Sequence, residues 1–260
     1  MEFRPCIDIH NGKVKQIVGS SLKDAGDSAS ENFISESSAS YYAELYKDKG
    51  LTGGHIIILN AAGSSYYDES KKQALGALSA FPGGMQIGGG INSENAGEYI
   101  EAGASHVIVT SYVFQNGMIN YDNLNKLIKA VGKERIVLDL SCRLTEKGYM
   151  VTTDRWQKIT DEKVDPELFE KLSGCCDEFL IHAVDVEGKN SGIEKELVRI
   201  MARHGKNPLT YAGGVSCYED IETIRELGGG HINVTVGSAL DLFGGKLEFE
   251  KICRMVGINS

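Results

Sequence analysis

Short apolar runs alternate along the chain with segments of helical periodicity. Runs such as Ile56–Leu59 and Ile136–Leu138 are continuously apolar, which is typical of strands buried on both faces. This pattern predicts eight strands: Pro5–Ile9, His55–Asn60, Met85–Ile87, His106–Thr110, Arg135–Leu140, Glu178–Val184, Leu209–Ala212 and His231–Val236. Amphipathic helical segments separate them, and one of these places Leu124, Leu127 and Val131 on a single face.

Eight strands that alternate with helices over about 250 residues predict a single (β/α)8 TIM barrel in the α/β class. The competing architecture is a doubly wound sheet, in which a glycine-rich dinucleotide turn follows the first strand. The first strand here leads instead into Asp8–Gly12, and the sequence contains neither that turn nor a phosphate-binding P-loop. The barrel is therefore the expected fold.

The two halves of the sequence repeat three features, namely an aspartate in the first strand, a glycine pair after the third and a small hydroxyl pair after the fourth. They recur as Asp8 and Asp139, Gly89–Gly90 and Gly213–Gly214, and Thr110–Ser111 and Gly237–Ser238, at offsets of 131, 124 and 127 residues. No Pro/Ser-rich linker divides the halves. We therefore expect one domain over residues 1–260, built from half-barrels at about 1–131 and 132–260.

The composition is that of a globular protein and argues against several classes of partner. Of the 260 residues, 42% are hydrophobic and 24% charged, with a net charge of −9 and no run of five basic residues. Nucleic acids and anionic membranes bind basic patches, so neither is an expected partner. No apolar stretch is long enough to span a bilayer, and Met1–Pro5 lacks a secretory signal. Six cysteines without C-x-x-C spacing indicate reduced thiols and a cytoplasmic protein.

The two glycine pairs are candidate phosphate sites. Each pair follows a strand and precedes a helix start, where backbone amides unobstructed by a Cβ can bind an anion. Thr110 and Ser111 would complete the first site, and Gly237 and Ser238 the second. A tight turn between strand and helix would use glycine as well. Two matching sites half a barrel apart favour a ligand that carries a phosphate at each end.

Asp8 and Asp139 are the candidate catalytic residues. Each lies at the end of an apolar strand, and side chains at the carboxyl ends of barrel strands face the active site. A symmetric pair of carboxylates between two phosphate sites suits a general base and a general acid. The alternative is that one or both are structural hydrogen-bonding groups.

The segment from Ser141 to Trp156 is a candidate substrate-binding loop. Its pattern predicts an extended strand-to-helix loop with a small hairpin, and it contains Arg143 and the only tryptophan. A flat heterocycle could stack there. The alternative is a hairpin that one aromatic side chain anchors.

A second segment, His182–Gly188, could orient a substrate. His182 could contact the substrate or be a hydrogen-bonded core histidine, and either Asp185 or Glu187 could face the site, of which we prefer Asp185. Metal sites find no support, because the six histidines lack metal-ligand spacing. A Ser-His-Asp mechanism finds none either, because no nucleophile elbow occurs.

Together these motifs resemble the ProFAR (phosphoribosylformimino-5-aminoimidazole carboxamide ribotide) isomerase family of histidine biosynthesis over essentially the whole chain. The resemblance lies in Cys6–Gln16, Gln86–Ile91, Val137–Arg143, Phe179–Gly188 and Tyr211–Gly214. It is strongest to the fungal and plant-type branch. The second strand ends in Asn60–Ala62, where many bacterial relatives carry an acidic pair, and His182 stands where many carry threonine.

The resemblance implies an Amadori rearrangement that converts an aminoaldose to an aminoketose on a substrate with two phosphates. It implies that Asp8 is the general base, that Asp139 is the general acid and that Trp156 lies near the imidazole carboxamide. The glycine sites correspond to the two phosphate sites of the family. No cofactor or metal is implied, because the substrate nitrogen serves as the electron sink, and the family implies a monomer.

Two other functions stay open. The sister family, the cyclase of imidazole glycerol phosphate synthase, shares two aspartates and two phosphate sites and receives ammonia from a glutaminase partner. It usually carries a lysine where His10 stands here. The other is a non-catalytic barrel that binds a bisphosphate, although two carboxylates near the phosphates would weaken such binding.

Overall fold

Eight parallel strands form the centre of the computed structural model, which describes residues 1–18, 21–22 and 28–258. In these ranges the strands are β1 (Cys6–His10), β2 (Lys13–Ile17), β3 (Glu31–Ile34), β4 (Gly54–Ile58), β5 (Met85–Gly88), β6 (Val107–Val109), β7 (Phe114–Gln115), β8 (Met118–Ile119), β9 (Ile136–Asp139), β10 (Cys142–Thr145), β11 (Gly148–Thr153), β12 (Lys158–Lys163), β13 (Glu178–His182), β14 (Leu209–Ala212) and β15 (Ile232–Val234). The parallel neighbours run in the order β1, β4, β5, β6, β9, β13, β14, β15. Each of these eight coincides with a predicted strand.

The sheet closes on itself through the residues that precede β1. Phe3 forms a parallel bridge with Val234 of β15. The Arg4 N–H donates to the Val234 carbonyl at 2.9 Å, and the Val234 N–H donates to the Glu2 carbonyl at 3.0 Å. The first and last strands are thereby joined, and the architecture is a (β/α)8 barrel, which confirms the predicted fold.

A helix follows each strand of the barrel and packs on its outside. In the described residues the helices are α1 (Ala39–Asp48), α2 (Tyr67–Ala80), α3 (Ala96–Glu101), α4 (Tyr121–Val131), α5 (Pro166–Leu172), α6 (Lys195–Met201), α7 (Tyr218–Leu227) and α8 (Phe249–Met255). Leu124 and Leu127 of α4 are fully buried, as their spacing predicted, and the Asn120 side chain caps this helix. No helix in the described part of the chain is long and apolar enough to cross a membrane.

The remaining strands form hairpins inserted after three of the barrel strands. The β2–β3 hairpin follows β1, the short β7–β8 hairpin follows β6, and the antiparallel sheet β10–β11–β12 follows β9. The last of these is the loop that the sequence predicted to contain a hairpin. All three insertions follow the carboxyl ends of barrel strands, which is the end where barrel enzymes have their active sites.

A buried polar network joins the N-terminal segment to the barrel interior. The Glu178 carboxylate is 3% exposed and accepts hydrogen bonds from Arg4 Nη1, from Thr210 Oγ1 at 2.6 Å and from Gln86 Nε2 at 2.9 Å. A buried carboxylate requires such partners because it has lost its hydration. The network links β5, β13 and β14 to the residue that closes the barrel.

The Arg4–Glu178 pair gives a prediction about stability. Arg4→Met leaves the Glu178 charge in the interior without its cation, so we expect the free energy of unfolding to fall by about 3–5 kcal/mol. Chemical denaturation measures it. The control is Arg199→Met, because Arg199 pairs with Glu196 on the surface and its removal should cost less than about 1 kcal/mol. If Arg4→Met and Arg199→Met lowered the free energy of unfolding equally, the buried Arg4–Glu178 pair would not have the stabilising role assigned to it.

Candidate active site

A cleft with two lobes opens at the carboxyl ends of the barrel strands. The larger lobe has a volume of about 990 Å³, and the smaller about 370 Å³. The predicted site residues that line the larger lobe are Asp8, Gly89, Gly90, Thr110, Ser111, Asp139, Trp156 and His182, and those that line the smaller are Asp8, His182, Gly213, Gly214, Gly237 and Ser238. Asp8, His182 and Glu187 line both lobes. A concave site that combines apolar walls with a few converging polar groups suits a small-molecule ligand.

The two glycine pairs have the same backbone conformation. Gly89 and Gly90 have φ values of 104° and 73°, and Gly213 and Gly214 have 111° and 75°. These values lie in the region that side chains other than glycine rarely adopt. A Cβ at Gly89 would also lie 2.1 Å from the Ile58 carbonyl oxygen. The repeat seen in the sequence is therefore also a repeat of local geometry.

The two glycine sites differ in how accessible they are. Gly90 is exposed, and a Cβ there would contact nothing within 4 Å. Gly214 is buried, because the loop after β13 packs over it and the Gly192 N–H donates to its carbonyl at 3.0 Å. The Ser238 hydroxyl donates to Asn190 Oδ1 of the same loop at 3.0 Å. The first site is thus open and the second covered.

Asp8 lies at the floor of the cleft beside a returning strand. Gln16 of β2 donates from Nε2 to Asp8 Oδ2 at 3.3 Å. Burial and the nearby Glu187 carboxylate raise the pKa of Asp8 to about 7, although the charge of His182 and the Gln16 hydrogen bond act in the opposite direction. The carboxyl group is therefore partly ionised near neutral pH, as suits a general base.

Asp139 ends β9 and has three side-chain hydrogen-bond partners. The Ser141 Oγ lies 2.8 Å from Oδ1 and 2.9 Å from Oδ2, and Thr110 Oγ1 donates to Oδ2 at 3.1 Å. His182 Nδ1 lies 3.4 Å from Oδ1. Thr110 was predicted to complete a phosphate site, and in this structure its hydroxyl is directed to the carboxylate.

His182 is a buried cation among the carboxylates of the cleft. Although burial lowers the pKa of His182, the facing carboxylates of Asp139, Glu187 and Asp8 outweigh it and raise the pKa to about 9. The ring of His55 lies 5.7 Å from that of His182, and burial and the His182 charge lower the pKa of His55 to about 3. At neutral pH one imidazole is therefore charged and its neighbour neutral. His182 is hydrogen-bonded to Asp139, as a core histidine would be, and it also lines both lobes of the cleft.

The tip of the loop that carries the tryptophan has an unusual backbone. Asp154, Arg155 and Trp156 have φ values of 51°, 54° and 66°, three successive residues in the left-handed region. The Asp154 N–H donates to Ser111 Oγ at 2.9 Å, and Trp156 Nε1 donates to Ser141 Oγ at 2.9 Å. These two contacts hold the tip against the larger lobe.

The structure does not bring Arg143 and Asp185 to the cleft. Asp185 Oδ2 accepts from the Leu144 N–H at 2.9 Å, and its Oδ1 lies 3.9 Å from Arg143 Nε, so the pair ties β10 to the loop after β13. Glu187 lines both lobes instead. A tight turn, in which the Glu187 N–H donates to the Val184 carbonyl, rotates the chain between the two acidic residues.

Several polar residues of the site were not predicted from the sequence, among them Ser141 and Gln16, which bond the two aspartates. Ser141 had a usable signal, because it lies two residues after Asp139 and side chains two apart in an extended segment point the same way. Gln16 had no such signal in the sequence, because the register of the β1–β2 hairpin determines which groups its side chain contacts.

Among the described residues, no group of three or more His, Cys, Asp or Glu side chains is arranged to hold a metal ion.

The chain is similar to proteins of histidine biosynthesis. The profile described as "Histidine biosynthesis protein" matches residues 2–248. A chloroplastic relative from Medicago truncatula, named a 1-(5-phosphoribosyl)-5-((5-phosphoribosylamino)methylideneamino) imidazole-4-carboxamide isomerase, is 55% identical over 97% of this chain and 80% of its own length. Relatives with the same isomerase name from Neurospora crassa and Saccharomyces cerevisiae are 45% and 41% identical, covering 94% and 97% of this chain and 93% and 97% of their own lengths.

The contact between Gln16 and Asp8 gives a prediction about titration. The amide donor favours the charged carboxylate, so Gln16→Leu should move the titration of Asp8 from about pH 7 to higher pH, by up to about one unit for a hydrogen bond to a charged group. Carbon-13 NMR of labelled aspartate side chains measures it, and Asp8→Asn assigns the signal. The exposed Gln115→Leu serves as control. A titration that stays or moves to lower pH would show that the contact does not act on Asp8.

Proposed function

The chain belongs to the histidine biosynthesis protein family, and from this premise we propose that it is the aldose–ketose isomerase that converts ProFAR into the corresponding phosphoribulosyl aminoketose. The relatives described above carry the name of that isomerase. One observation carries the proposal: Asp8 and Asp139 line the same cleft, whose lobes contain glycine pairs of matching conformation.

The two glycine sites are proposed to bind the two phosphates of the substrate. Backbone amides beside left-handed glycines form concave anion sites. Ser111 and Ser238 line the same two lobes and are proposed to add hydroxyl contacts. The imidazole carboxamide would lie in the larger lobe, where Trp156 supplies an aromatic surface.

Asp139 is proposed to start the reaction as the general acid. It would protonate the ribose ring oxygen, so that the bond from C1 to that oxygen breaks and C1 forms a Schiff base with the substrate nitrogen. The carboxylate gains a negative charge when it gives up the proton. His182, which is cationic at neutral pH and 3.4 Å away, would stabilise that charge.

Asp8 is proposed to act next as the general base. It would remove the proton from C2, and the electron pair would move through C1 to the nitrogen and form an enolamine. Protonation at C1 and loss of the C2 hydroxyl proton then give the ketose, so the oxidation of C2 balances the reduction of C1. The route needs no metal or cofactor, because the substrate nitrogen accepts the electron pair.

We also propose a domain structure, a cellular compartment and an oligomeric state for the protein. The matching φ values of the two glycine pairs support one domain, 1–260, built from half-barrels at about 1–131 and 132–260. All six cysteines are free, which supports a reducing compartment such as the cytoplasm, although the Medicago relative is named chloroplastic. A monomer that binds a small molecule and no nucleic acid fits the net charge of −9.

The roles of the two aspartates can be tested by turnover. Asp8→Asn removes the carboxylate that accepts a proton and Asp139→Asn the carboxyl group that donates one, so each should lower kcat by about 10² to 10⁴, the usual scale for a positioned acid or base. Absorbance assays with ProFAR alone, without ammonia or a glutaminase, also separate the isomerase from the cyclase. Asp185→Asn is the control, because that carboxylate lies outside the cleft, and it should turn over normally. Normal turnover in Asp8→Asn or Asp139→Asn would remove that residue from the mechanism.

The first phosphate site can be tested at Gly90. Aspartate tolerates left-handed backbone, and a Cβ here meets open space, so Gly90→Asp should fold and place a carboxylate at the anion site. We expect KM to rise by at least about tenfold, because the new carboxylate would repel the phosphate of the substrate.

The control for this variant is Gly50→Asp. Gly50 has a φ of 67°, is exposed and also has nothing within 4 Å of an added Cβ, but it follows α1 away from the cleft. Gly50→Asp therefore introduces the same charge and the same backbone strain at a position outside the site. A KM that rises equally in both variants, or in neither, would count against phosphate binding at Gly90.

A further inference from the structure

We propose that Ser141 is a positioning residue that couples the indole of Trp156 to the carboxylate of Asp139. The inference deepens the proposed function and rests on it, since it takes Asp139 as the general acid. Trp156 then does more than offer a surface to the heterocycle: its N–H holds the hydroxyl that orients the acid.

The direction of the hydrogen bonds follows from the chemistry of the three groups. An indole N–H can only donate, and a serine hydroxyl has one hydrogen to give. Trp156 Nε1 lies 2.9 Å from Ser141 Oγ, which itself lies 2.8 and 2.9 Å from the two oxygens of Asp139. The indole must therefore donate to the Ser141 oxygen, and the Ser141 hydrogen must go to Asp139.

The backbone of Ser141 is held independently of this chain of hydrogen bonds. Its carbonyl accepts from the Thr152 N–H at 2.7 Å and from Thr152 Oγ1 at 3.0 Å, and both residues are fully buried. Only the torsion of the Ser141 hydroxyl is left to be decided. The indole fixes this torsion, because the Ser141 oxygen must direct a lone pair to the Trp156 N–H and its hydrogen then points to Asp139.

The tryptophan reaches this position through a strained segment. Asp154, Arg155 and Trp156 all have left-handed backbone, and each such residue costs on the order of 1 kcal/mol that the surrounding contacts must offset. A simple hairpin anchor would not require three such residues. The left-handed backbone of residues 154–156 brings the indole N–H within hydrogen-bonding distance of Ser141.

Two further groups contact Asp139 directly and are the same in every variant proposed below. Thr110, which directly follows β6, donates to Oδ2, and His182 of β13 faces Oδ1. Across the cleft, Asp8 and Glu187 act on His182. Any difference in kcat among these variants therefore reports the contribution of the hydroxyl and of the indole that holds it.

The test is a double-mutant cycle of Ser141→Ala and Trp156→Phe. Trp156→Phe keeps an aromatic ring but loses the N–H. We expect kcat to fall about 10- to 100-fold in Ser141→Ala and about 3- to 10-fold in Trp156→Phe, with KM nearly unchanged in Ser141→Ala. The double variant should be no slower than Ser141→Ala within about twofold, because both substitutions break one coupled chain.

Two further readouts separate positioning from a merely structural role. In Ser141→Ala the ratio kcat/KM should fall in step with kcat, because a hydroxyl that orients the acid acts on the chemical step and not on substrate binding. The emission of the single tryptophan should also shift in that variant, because the indole loses its acceptor. The control is Ser35→Ala, which likewise removes a buried hydroxyl, bonded to Tyr42 Oη at 2.9 Å, away from the cleft. It should change neither readout.

Several results would overturn the inference. Normal kcat in Trp156→Phe, or losses that simply multiply in the double variant, would show that the indole N–H does not act through Ser141. Trp156→Phe decides the matter even if Ser141→Ala does not fold. Failure of the proposed function is distinguishable, because the unaltered protein would then not convert ProFAR, whereas failure of the acid role alone would leave Asp139→Asn with normal turnover. A slow Asp139→Asn beside normal Ser141 and Trp156 variants would reject only the inference.

Discussion

Closure of the barrel between the N-terminal residues and Val234 is the constraint on which the site depends. Because the eight strands are parallel and joined in a ring, their carboxyl ends all meet at one rim. Asp8 on β1 and Asp139 on β9 lie four strands apart in either direction around that ring. Arg4 contributes to closure twice, through its backbone N–H to Val234 and through its side chain to the buried Glu178.

The cleft that this rim creates contains groups whose charges are mutually dependent. Three carboxylates and one imidazolium face one another, and the neutral His55 lies beneath the charged His182. His182 keeps its proton because the carboxylates outweigh its burial, whereas burial and Glu187 favour the protonated form of Asp8. A small change of position at one of these groups would therefore alter the protonation of the others.

The two halves of the barrel share a framework and differ in what covers it. The glycine pairs match within a few degrees in φ, yet the loop after β13 covers Gly214 and leaves Gly90 exposed. The antiparallel sheet after β9 adds Trp156 to one side of the cleft. A substrate with different groups at its two ends requires this kind of asymmetry, which a perfectly repeated barrel would not provide.

Local patterns in the sequence were sufficient for the barrel, for Asp139 at the end of its strand, and for the glycine pairs; they also placed Asp8 on the first strand, although Asp8 is the middle residue of β1 and not its end. Each of these depends on periodicity or on the steric needs of one residue, which neighbouring positions reveal. The contact of Gln16 with Asp8, the presence of Glu187 rather than Asp185 in the cleft and the covering of one glycine site were decided only by tertiary structure. Hairpin register and loop packing fix those features, and both depend on contacts between residues far apart in the chain.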